Sequence, residues 1–323
     1  MSGTTKEYDI IVIGCGIAGM SFLYNLYKDG YNKKLLLVEK QSFPRDKMCG
    51  DLISNKCFSL LTEIFPNIKK SIFNKIKFFD VNKKISNVDH YTCKRYNLDY
   101  EIYKQILETN FEIKENCKTK IIKKEGKYFF IKVNGDTIKT KFLVGADGSL
   151  SIVSNFLKLK NNLVYSLRSY QNTERKINIC KFRSDHNDYY WDFSILNGVK
   201  NVGYFQSILN KKKFIKINRK MRGDSKDIEV KGAPINLLKI EKEKFCIENK
   251  IIGKNHAVIG DSACLVHPYN GEGIHIALYM GKLLSNFIFE KNNKNEYLNE
   301  LRNFIDSNYS LKYWENFINE KVT

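Results

Sequence analysis

Three glycine-containing segments of this chain combine residue types that suit the binding of a dinucleotide. The first is Gly14-Cys15-Gly16-Ile17-Ala18-Gly19, which has G-x-G-x-x-G spacing. Its glycines allow a tight turn, a close approach of the backbone to a pyrophosphate, and close packing of the following helix. Glu39 follows twenty residues after Gly19 and can accept hydrogen bonds from both hydroxyls of a ribose. This segment therefore predicts a site for an adenosine dinucleotide that has no 2′-phosphate.

The second and third segments each place an aspartate after an apolar run. They are Gly145-Ala146-Asp147-Gly148 and Gly260-Asp261-Ser262-Ala263, and the latter is followed by Pro268, Gly271 and Gly273. An aspartate at the end of a strand suits a sugar-alcohol hydroxyl, and a helix N-terminus stabilises negative charge close to it. A reduced flavin carries such a charge, so the three segments in this order predict FAD.

Apolar runs and helical spacing predict the elements that position these segments. Residues 8–13 and 35–39 are typical of buried strands and 20–28 of a helix that ends at Gly30, which together make a β-α-β unit. The other expectations are, in chain order, a mainly helical region at 55–110, a β-meander at 111–144 with turns at 125–126 and 134–135, strands at 189–196 and 202–209 joined at 197–198, a loop or sheet edge at 211–231, a strand at 256–259, and helices at 271–290 and 295–320.

Composition limits the class of protein. Of 323 residues, 43% are hydrophobic and 13% aromatic, which supports a sizeable core and argues against disorder. No apolar run approaches the ~20 residues of a membrane helix, and residues 1–9 lack the apolar stretch of a signal peptide. Eight cysteines without a C-x-x-C pair are typical of a reducing compartment. We therefore expect a cytoplasmic protein with no bound metal.

The chain is strongly basic, with 54 Lys and Arg against 35 Asp and Glu and a net charge of +19. Only eight of these cations are Arg, the side chain that most often contacts bases and phosphates in nucleic-acid complexes, so no nucleic-acid partner is expected. Two interpretations stay open: lysines that are merely solvated, or a surface that attracts an anionic partner, either acidic substrates or an anionic membrane contacted peripherally.

The motifs together resemble the geranylgeranyl reductase family of FAD-dependent oxidoreductases, within the para-hydroxybenzoate-hydroxylase-like flavoproteins. Besides the glycine segments, residues 43–51 are similar to the family's P-R-x-K-x-C-G segment, residues 260–277 to its G-D-A-A and P-x-x-G-E-G-I stretch, and residues 189–193 to its Y-x-W-x-F-P substrate motif. The resemblance implies an α/β fold: a Rossmann-like FAD-binding domain (GR2 type) with a β-meander and an inserted, mostly β substrate domain. The implied boundaries are 1–90 plus 91–160 plus 249–323 for the FAD-binding domain, and 161–248, with contributions from about 55–90, for the substrate domain.

The resemblance also implies a set of site residues. Tyr189, Trp191, Phe193 and Pro268 would line the substrate cavity. Cys49 matches the cysteine that faces the flavin in the reductases and aids proton delivery there, and the alternative is a buried structural thiol. The residues expected to bind the cofactor are Gly14, Gly16, Ile17, Ala18, Gly19, Glu39, Lys40, Arg45, Cys49, Gly50, Arg95, Asp147, Gly260, Asp261, Gly271, Glu272, Gly273 and Ile274.

The function that this resemblance implies first is FAD-dependent reduction of carbon–carbon double bonds in a prenyl or other apolar small substrate. NAD(P)H or another transient carrier would donate the electrons. An FAD monooxygenase acting on a small aromatic or lipid-like substrate shares every cofactor motif and is the alternative, with a halogenase disfavoured because no W-x-W-x-I-P signature is present. A protein that binds flavin or membrane without turnover is the third hypothesis.

Overall fold

A computed structural model describes residues 5–77, 89–172, 179–183, 188–206, 211–222, 228–242, 244–290 and 293–309. The described helices are α1 (Ile17–Lys28), α2 (Asn55–Ile64), α3 (Arg95–Leu107), α4 (Ile152–Phe156), α5 (Lys211–Arg222), α6 (Ile274–Glu290) and α7 (Lys294–Tyr309). The described strands are β1 (Lys6–Ile13), β2 (Leu35–Val38), β3 (Leu52–Ile53), β4 (Asn74–Ile76), β5 (His90–Thr92), β6 (Glu112–Lys114), β7 (Thr119–Glu125), β8 (Tyr128–Val133), β9 (Asp136–Gly145), β10 (Leu163–Asn172), β11 (Ile179–Arg183), β12 (Asp188–Ser194), β13 (Val199–Gln206), β14 (Val230–Asn236), β15 (Lys239–Glu241), β16 (Lys244–Cys246), β17 (Ile252–Gly253) and β18 (His256–Val258).

The larger sheet positions the glycine segments. Its strand order is β17-β18-β9-β1-β2-β6, and the run from β18 to β6 is parallel. Residues 10–13 of β1 and all of β2 are apolar and buried, because parallel strands are covered by helices on both faces. β7 and β8 extend β9 as an antiparallel meander. Because β1, β9 and β18 are parallel neighbours, the segments that follow them emerge at one edge of the sheet, as ligand sites in such sheets require.

Helices α1 and α6 cross closely on this sheet. The Ser21 hydroxyl in α1 donates to the carbonyl of Leu278 in α6 at 2.8 Å. A Cβ added to Gly281 would lie 2.6 Å from the Ser21 side chain, so only glycine lets the helices approach this far. The large buried core lies between these helices and the sheet.

The second sheet is antiparallel, in the order β11-β12-β13-β10-β14. Asn197 and Gly198, both with positive φ, form the tight turn between β12 and β13, as a two-residue hairpin turn needs. A smaller apolar cluster lies on this sheet and consists of Ile76, Val164, Tyr189, Trp191, Phe193, Phe205, Leu237 and Val266.

The structure confirms the β-α-β unit, the meander with its turns, and the strand before Gly260, and it corrects two expectations. The helical expectation for 55–110 holds for α2 and α3 and is corrected between them, where β4 and β5 lie; strands of three residues are too short to show a period. The stretch 211–231 is not a loop or edge throughout, because its first half is α5. The expected strand 202–209 and helix 295–320 end, within the described residues, at Gln206 and Tyr309, and 207–210 and 310–323 lie outside them.

In the part of the chain that the structure describes, no helix combines the length and the hydropathy needed to cross a bilayer. Every strand of the second sheet comes from residues 163–236, which lies inside the predicted substrate domain. The exact domain boundaries stay a prediction.

Candidate functional site

The three glycine segments meet in space. A Cβ on Gly14 would lie 2.4 Å from the carbonyl oxygen of Ala146, and one on Gly260 would lie 2.9 Å from Ala18. The amide of Gly148 donates to the Ser262 hydroxyl at 2.8 Å. Each segment thus contacts the other two, at the carboxyl ends of β1, β9 and β18.

The start of α1 fits a pyrophosphate. Gly16 caps the helix without a side-chain hydrogen bond, which leaves the first-turn amides without a side-chain acceptor. A Cβ on Gly16 would meet nothing nearer than 4.0 Å, so the space beside it is open, whereas one on Gly19 would lie 2.3 Å from the Gly14 carbonyl. Ile17 and Ala18 are buried behind this turn. An open helix N-terminus attracts phosphate, and this is the first observation that fits FAD.

Glu39 lies beside the same turn, directly after β2. Its carboxylate accepts hydrogen bonds from the amides of Cys15 at 2.9 Å and Gln41 at 3.1 Å. Glu39 is only 5% exposed, and each of its carboxylate oxygens can still accept a hydrogen bond from a ribose hydroxyl. Lys40, by contrast, is exposed.

Two buried arginines flank one buried aspartate next to Glu39. Arg45 donates to Asp99 at 3.2 Å and to the carbonyl of Cys15 at 3.0 Å, and it lies 3.6 Å from Glu39. Arg95 donates two hydrogen bonds to the Asp99 carboxylate, at 2.7 and 2.9 Å. The Nε of Arg45 is buried without a hydrogen-bond partner among the described residues. A spare buried N–H beside the phosphate turn is the second observation that fits a phosphate-containing cofactor.

The third glycine segment brings together Asp261, Gly273 and Lys47. A Cβ on Gly273 would lie 3.1 Å from Asp261 Oδ1, and Lys47 Nζ lies 3.5 Å from Asp261 Oδ2. Gly271 has positive φ with nothing within 4 Å of a Cβ position, so the chain before Ile274, where α6 begins, is open on one side. This is where the resemblance places the flavin ring.

Glu272 is tied to the segment after Cys49. Its carboxylate accepts the Ser54 hydroxyl at 2.6 Å, and its pKa is raised by burial, which the Ser54 bond opposes. The neighbouring buried His267 is a neutral imidazole, because burial lowers its pKa to about 3, and its Nδ1 accepts from the amides of Tyr269 and Asn270. Pro268, predicted to line the substrate cavity, is buried here.

The carboxylate of Asp147 accepts its hydrogen bonds from neighbouring protein groups. It accepts bonds from the Ser151 hydroxyl at 2.5 Å and the Ile152 amide at 2.7 Å, at the start of α4, and from Ser262 at 3.3 Å. Burial raises its pKa. Its visible role is to join the second segment to the third, and a direct contact with the cofactor stays a prediction.

The Cys49-Gly50-Asp51 segment joins the cofactor side to the second sheet. Asn201 of β13 donates at 2.9 Å both to the Cys49 carbonyl and to Asp51 Oδ2. The Tyr170 hydroxyl of β10 donates to the same carboxylate oxygen at 2.5 Å, and the Arg95 amide donates to the other at 3.2 Å. The partly buried Cys49 is thereby fixed between α3 and the second sheet.

Asp51 is an unusual residue. It is fully buried with φ +62°, a backbone conformation that is uncommon for residues other than glycine, although Asp adopts it more readily than most. Burial raises its pKa to about 6, against the hydrogen bonds from Tyr170 and Asn201. Cys49 also has a raised pKa because of burial, which the Arg95 guanidinium opposes. The thiol is therefore protonated at neutral pH.

Trp191 fills a slot between two glycines. A Cβ on Gly203 would lie 1.9 Å from the indole, and one on Gly50 would lie 3.4 Å from it. The indole N–H donates to Asn201 at 2.8 Å. Tyr189 and Phe193 lie on the same strand and are 6% and 1% exposed. These three predicted cavity residues thus pack in the apolar cluster behind the Cys49 segment, and their contact with a substrate stays a prediction.

No family profile matches the chain. A digeranylgeranylglycerophospholipid reductase of Methanococcus vannielii is 26% identical over 341 residues, which cover 93% of this chain and 82% of the relative. An uncharacterised protein of Methanosarcina barkeri is 26% identical over 311 residues, covering 88% of this chain and 75% of that one. A geranylgeranyl bacteriochlorophyll reductase-like protein of Thermoplasma acidophilum has a TM-score of 0.72 at 20% identity, over 98% of this chain and 87% of its own.

By sequence and fold, the chain is similar to geranylgeranyl reductase-like FAD oxidoreductases. The fold is shared more widely. A probable FAD-dependent monooxygenase of Pseudomonas aeruginosa has a TM-score of 0.67 at 14% identity, over 92% of this chain and 91% of its own. The fold of this reductase-like chain therefore does not separate reduction from oxygenation.

Several residues of the site carry no motif in the sequence. Asp99 lies four residues after Arg95 on α3, a helical spacing that signals an ion pair and not a ligand site. Tyr170 and Asn201 lie 119 and 150 residues after Asp51, and no local pattern could reveal them. Lys47, by contrast, belongs to the P-R-x-K-x-C-G segment, but no role was predicted for it, and Ser54 lies only five residues after Cys49.

Proposed function

We propose that this chain binds FAD along the joined glycine segments and reduces carbon–carbon double bonds of a prenyl or other apolar substrate. The observation that carries the proposal is the Cys49-Gly50-Asp51 segment, whose Cys49 carbonyl and Asp51 carboxylate are bonded to the second sheet through Asn201. The named reductase among the relatives supports the same reaction.

The proposed cofactor contacts follow from the geometry. The open helix start at Gly16 would bind the pyrophosphate, and the buried Glu39 carboxylate would take the adenosine ribose. Arg45 would donate its spare Nε–H to a phosphate oxygen. Asp261 and the open backbone around Gly271 would lie along the ribityl chain and the ring.

FAD, when bound and reduced, supplies a hydride. The chain supplies the proton: the protonated Cys49 thiol can donate it to the second carbon of the double bond, and solvent then returns one to the sulfur. The carbonyl bond from Asn201 fixes the backbone of Cys49, and Arg95 stabilises the thiolate that forms. Hydride and proton together saturate one double bond, and a transient donor such as NAD(P)H restores the two electrons.

The apolar cluster on the second sheet suits this substrate class. Tyr189, Trp191 and Phe193 are apolar or amphipathic and lie behind the proton donor. A hydrocarbon chain needs such surroundings, because each CH₂ removed from water contributes about 0.8 kcal/mol. A small charged aromatic would need a buried counter-charge as well.

An anaerobic experiment separates the two reactions. Purified protein is loaded with FAD, reduced chemically, and mixed without O₂ with a polyprenyl glycerolipid. Reoxidation of the flavin with saturation of a double bond, detected by mass spectrometry, is expected. Oxidation that requires O₂ and adds an oxygen atom to the substrate would replace reduction with monooxygenation, and failure to bind FAD at all would refute both.

Cys49 is tested by substitution in the same assay. Cys49→Ala should keep bound FAD and lose about 10²–10⁴-fold in single-turnover rate, the usual worth of a positioned proton donor. Cys49→Ser should recover part of the rate. Cys246→Ala, which removes a partly buried thiol on β16, is the control and should behave as wild type. Full activity of Cys49→Ala would remove the thiol from the mechanism.

A further inference from the structure

Helix α5 carries a strongly basic surface beside the second sheet. Its twelve residues, KKKFIKINRKMR, include seven Lys or Arg and no Asp or Glu. The helix packs beside β14, the edge strand of the sheet that also holds Trp191.

The exposed residues of α5 fall on one face. Lys212, Lys216 and Lys220 follow each other at intervals of four and Ile215 and Arg219 lie between them, which is the spacing of neighbours on one side of a helix. All five are exposed, whereas Ile217 and Met221 are partly buried. We call Lys212, Ile215, Lys216, Arg219 and Lys220 the basic stripe.

No acidic residue on α5 balances the charge of the basic stripe. Like charges four residues apart on a helix repel each other. Within the described ranges, no ion pair joins Lys212, Lys216, Arg219 or Lys220 to a carboxylate. A surface that costs folding free energy and has no acidic neighbour on its own helix points to an external anion.

We propose that the basic stripe docks the protein on an anionic membrane surface. The exposure of Ile215 favours a membrane over a soluble polyanion. This apolar residue is 52% exposed and lies among the cations of the stripe. Lysine stems can lie along a bilayer surface with their charged ends at the headgroups, and an apolar side chain among them can enter the interface, which adds to the electrostatic attraction. This docking goes beyond the proposed reaction and is tested without turnover.

The first experiment measures binding of the full chain to sedimented vesicles. Vesicles of phosphatidylcholine with about one-third phosphatidylserine are compared with phosphatidylcholine alone. Binding is expected only to the anionic vesicles, and it should weaken as salt shortens the range of the attraction. No binding to the anionic vesicles would overturn the proposal.

A matched pair of variants separates the basic stripe from the net charge. K212E/K216E and K69E/K70E each lower the net charge from +19 to +15, since every Lys→Glu changes it by two. The residues of both pairs are exposed. Removing one cation weakens membrane binding about 5-fold, so K212E/K216E should lose at least about 25-fold and K69E/K70E far less. Equal losses would assign binding to overall charge and overturn the proposal.

Ile215→Asn tests the lipid assignment. It keeps every charge and should weaken vesicle binding several-fold while leaving retention on heparin unchanged. Vesicle binding that does not respond to this substitution would make the partner a soluble polyanion, such as a nucleic acid or an acidic protein, and would overturn the membrane assignment. Equal thermal midpoints of all the variants would show that the fold is kept.

Discussion

The cofactor side and the second-sheet side of the site are held together in different ways. The glycine segments interlock by close approach of backbone: Gly14 on Ala146, Gly19 on Gly14, Gly260 on Ala18. The second sheet is joined to Cys49 and Asp51 by buried polar bonds from Tyr170 and Asn201. The first type of contact tolerates no side chain, and the second depends on hydrogen bonding and on protonation. The cofactor side should therefore be sensitive to added side-chain atoms, and the second-sheet side to the loss of hydrogen bonds and to pH.

The largest effect is expected from Gly14→Ala. The residue has φ +103°, and the new Cβ would lie 2.4 Å from the Ala146 carbonyl oxygen. Backbone strain and a clash with backbone add, so we expect a loss of about 4 kcal/mol or more in the free energy of unfolding. FAD binding, followed by flavin absorbance of the purified protein, should be lost as well.

Gly135→Ala is the matched control for that substitution. Gly135 has φ +106° but nothing within 4 Å of its Cβ position. The two variants share the backbone strain and differ in the clash. We expect Gly135→Ala to cost only about 1–2 kcal/mol and to bind FAD normally. Equal losses for the two variants would mean that close packing against Ala146 does not hold the cofactor side.

The next effect is expected from Gly203→Ala on the second sheet. Its Cβ would lie 1.9 Å from the Trp191 indole, which must then leave its slot and give up the bond to Asn201. Overpacking of this kind costs about 3 kcal/mol. FAD should still bind, because no glycine segment is touched, and turnover with the apolar substrate should fall.

Trp191→Phe sharpens this result. It keeps an aromatic ring in the slot but removes the N–H that bonds Asn201, which costs about 1–3 kcal/mol if the acceptor is left buried without a partner. If Gly203→Ala abolished FAD binding while Trp191→Phe kept it, the two sides would not be separable, and the comparison would fail.

Asp51→Asn should change how stability depends on pH. The pKa of Asp51 is raised to about 6 in the folded protein, from 3.8, so the native state binds more protons than the unfolded state between these values. This contribution is complete below the unfolded pKa and is lost as pH rises through about 6. The wild type should therefore lose about 2–3 kcal/mol relative to Asp51→Asn between pH 4 and pH 7, measured by denaturant unfolding.

Asp46→Asn should change the pH dependence of stability in the opposite direction. Burial tends to raise the pKa of Asp46, but the hydrogen bond and charge of Arg168 outweigh it, and the pKa is lowered. Its contribution to stability is present at neutral pH and is lost as pH falls through the lowered value. Asp46→Asn should therefore cost most at neutral pH. The same pH trend in both variants would contradict the assignment of Asp51 as a carboxylate that folding protonates.

The difference between the two sides also explains what could be predicted from the sequence. Gly14, Gly16, Gly19 and Glu39 lie within one β-α-β unit, so their spacing along the chain reports their arrangement in space. Tyr170 and Asn201 reach Asp51 across more than a hundred residues, and only the fold brings them together. Helix α5 was missed for another reason: its seven cations obscure the helical spacing of the apolar residues at 217 and 221.

The smallest effect is expected from Ser54→Ala, where the two sides meet. Ser54 accepts the Cys57 amide at 3.3 Å as the N-cap of α2 and donates to Glu272 at 2.6 Å. Alanine removes both bonds, and loss of an N-cap alone costs about 1 kcal/mol. Ser54→Thr keeps the hydroxyl and should recover most of the stability.

The same substitution should also change the pKa of Glu272. Because Glu272 would lose the hydrogen bond that opposes its raised pKa, Ser54→Ala should raise that pKa further. A titration of the flavin spectrum against pH would register this change if the flavin ring lies beside Glu272. A wild-type titration curve in a variant that has lost the expected stability would place the flavin ring away from Glu272 and leave Ser54 a purely structural link between the two sides.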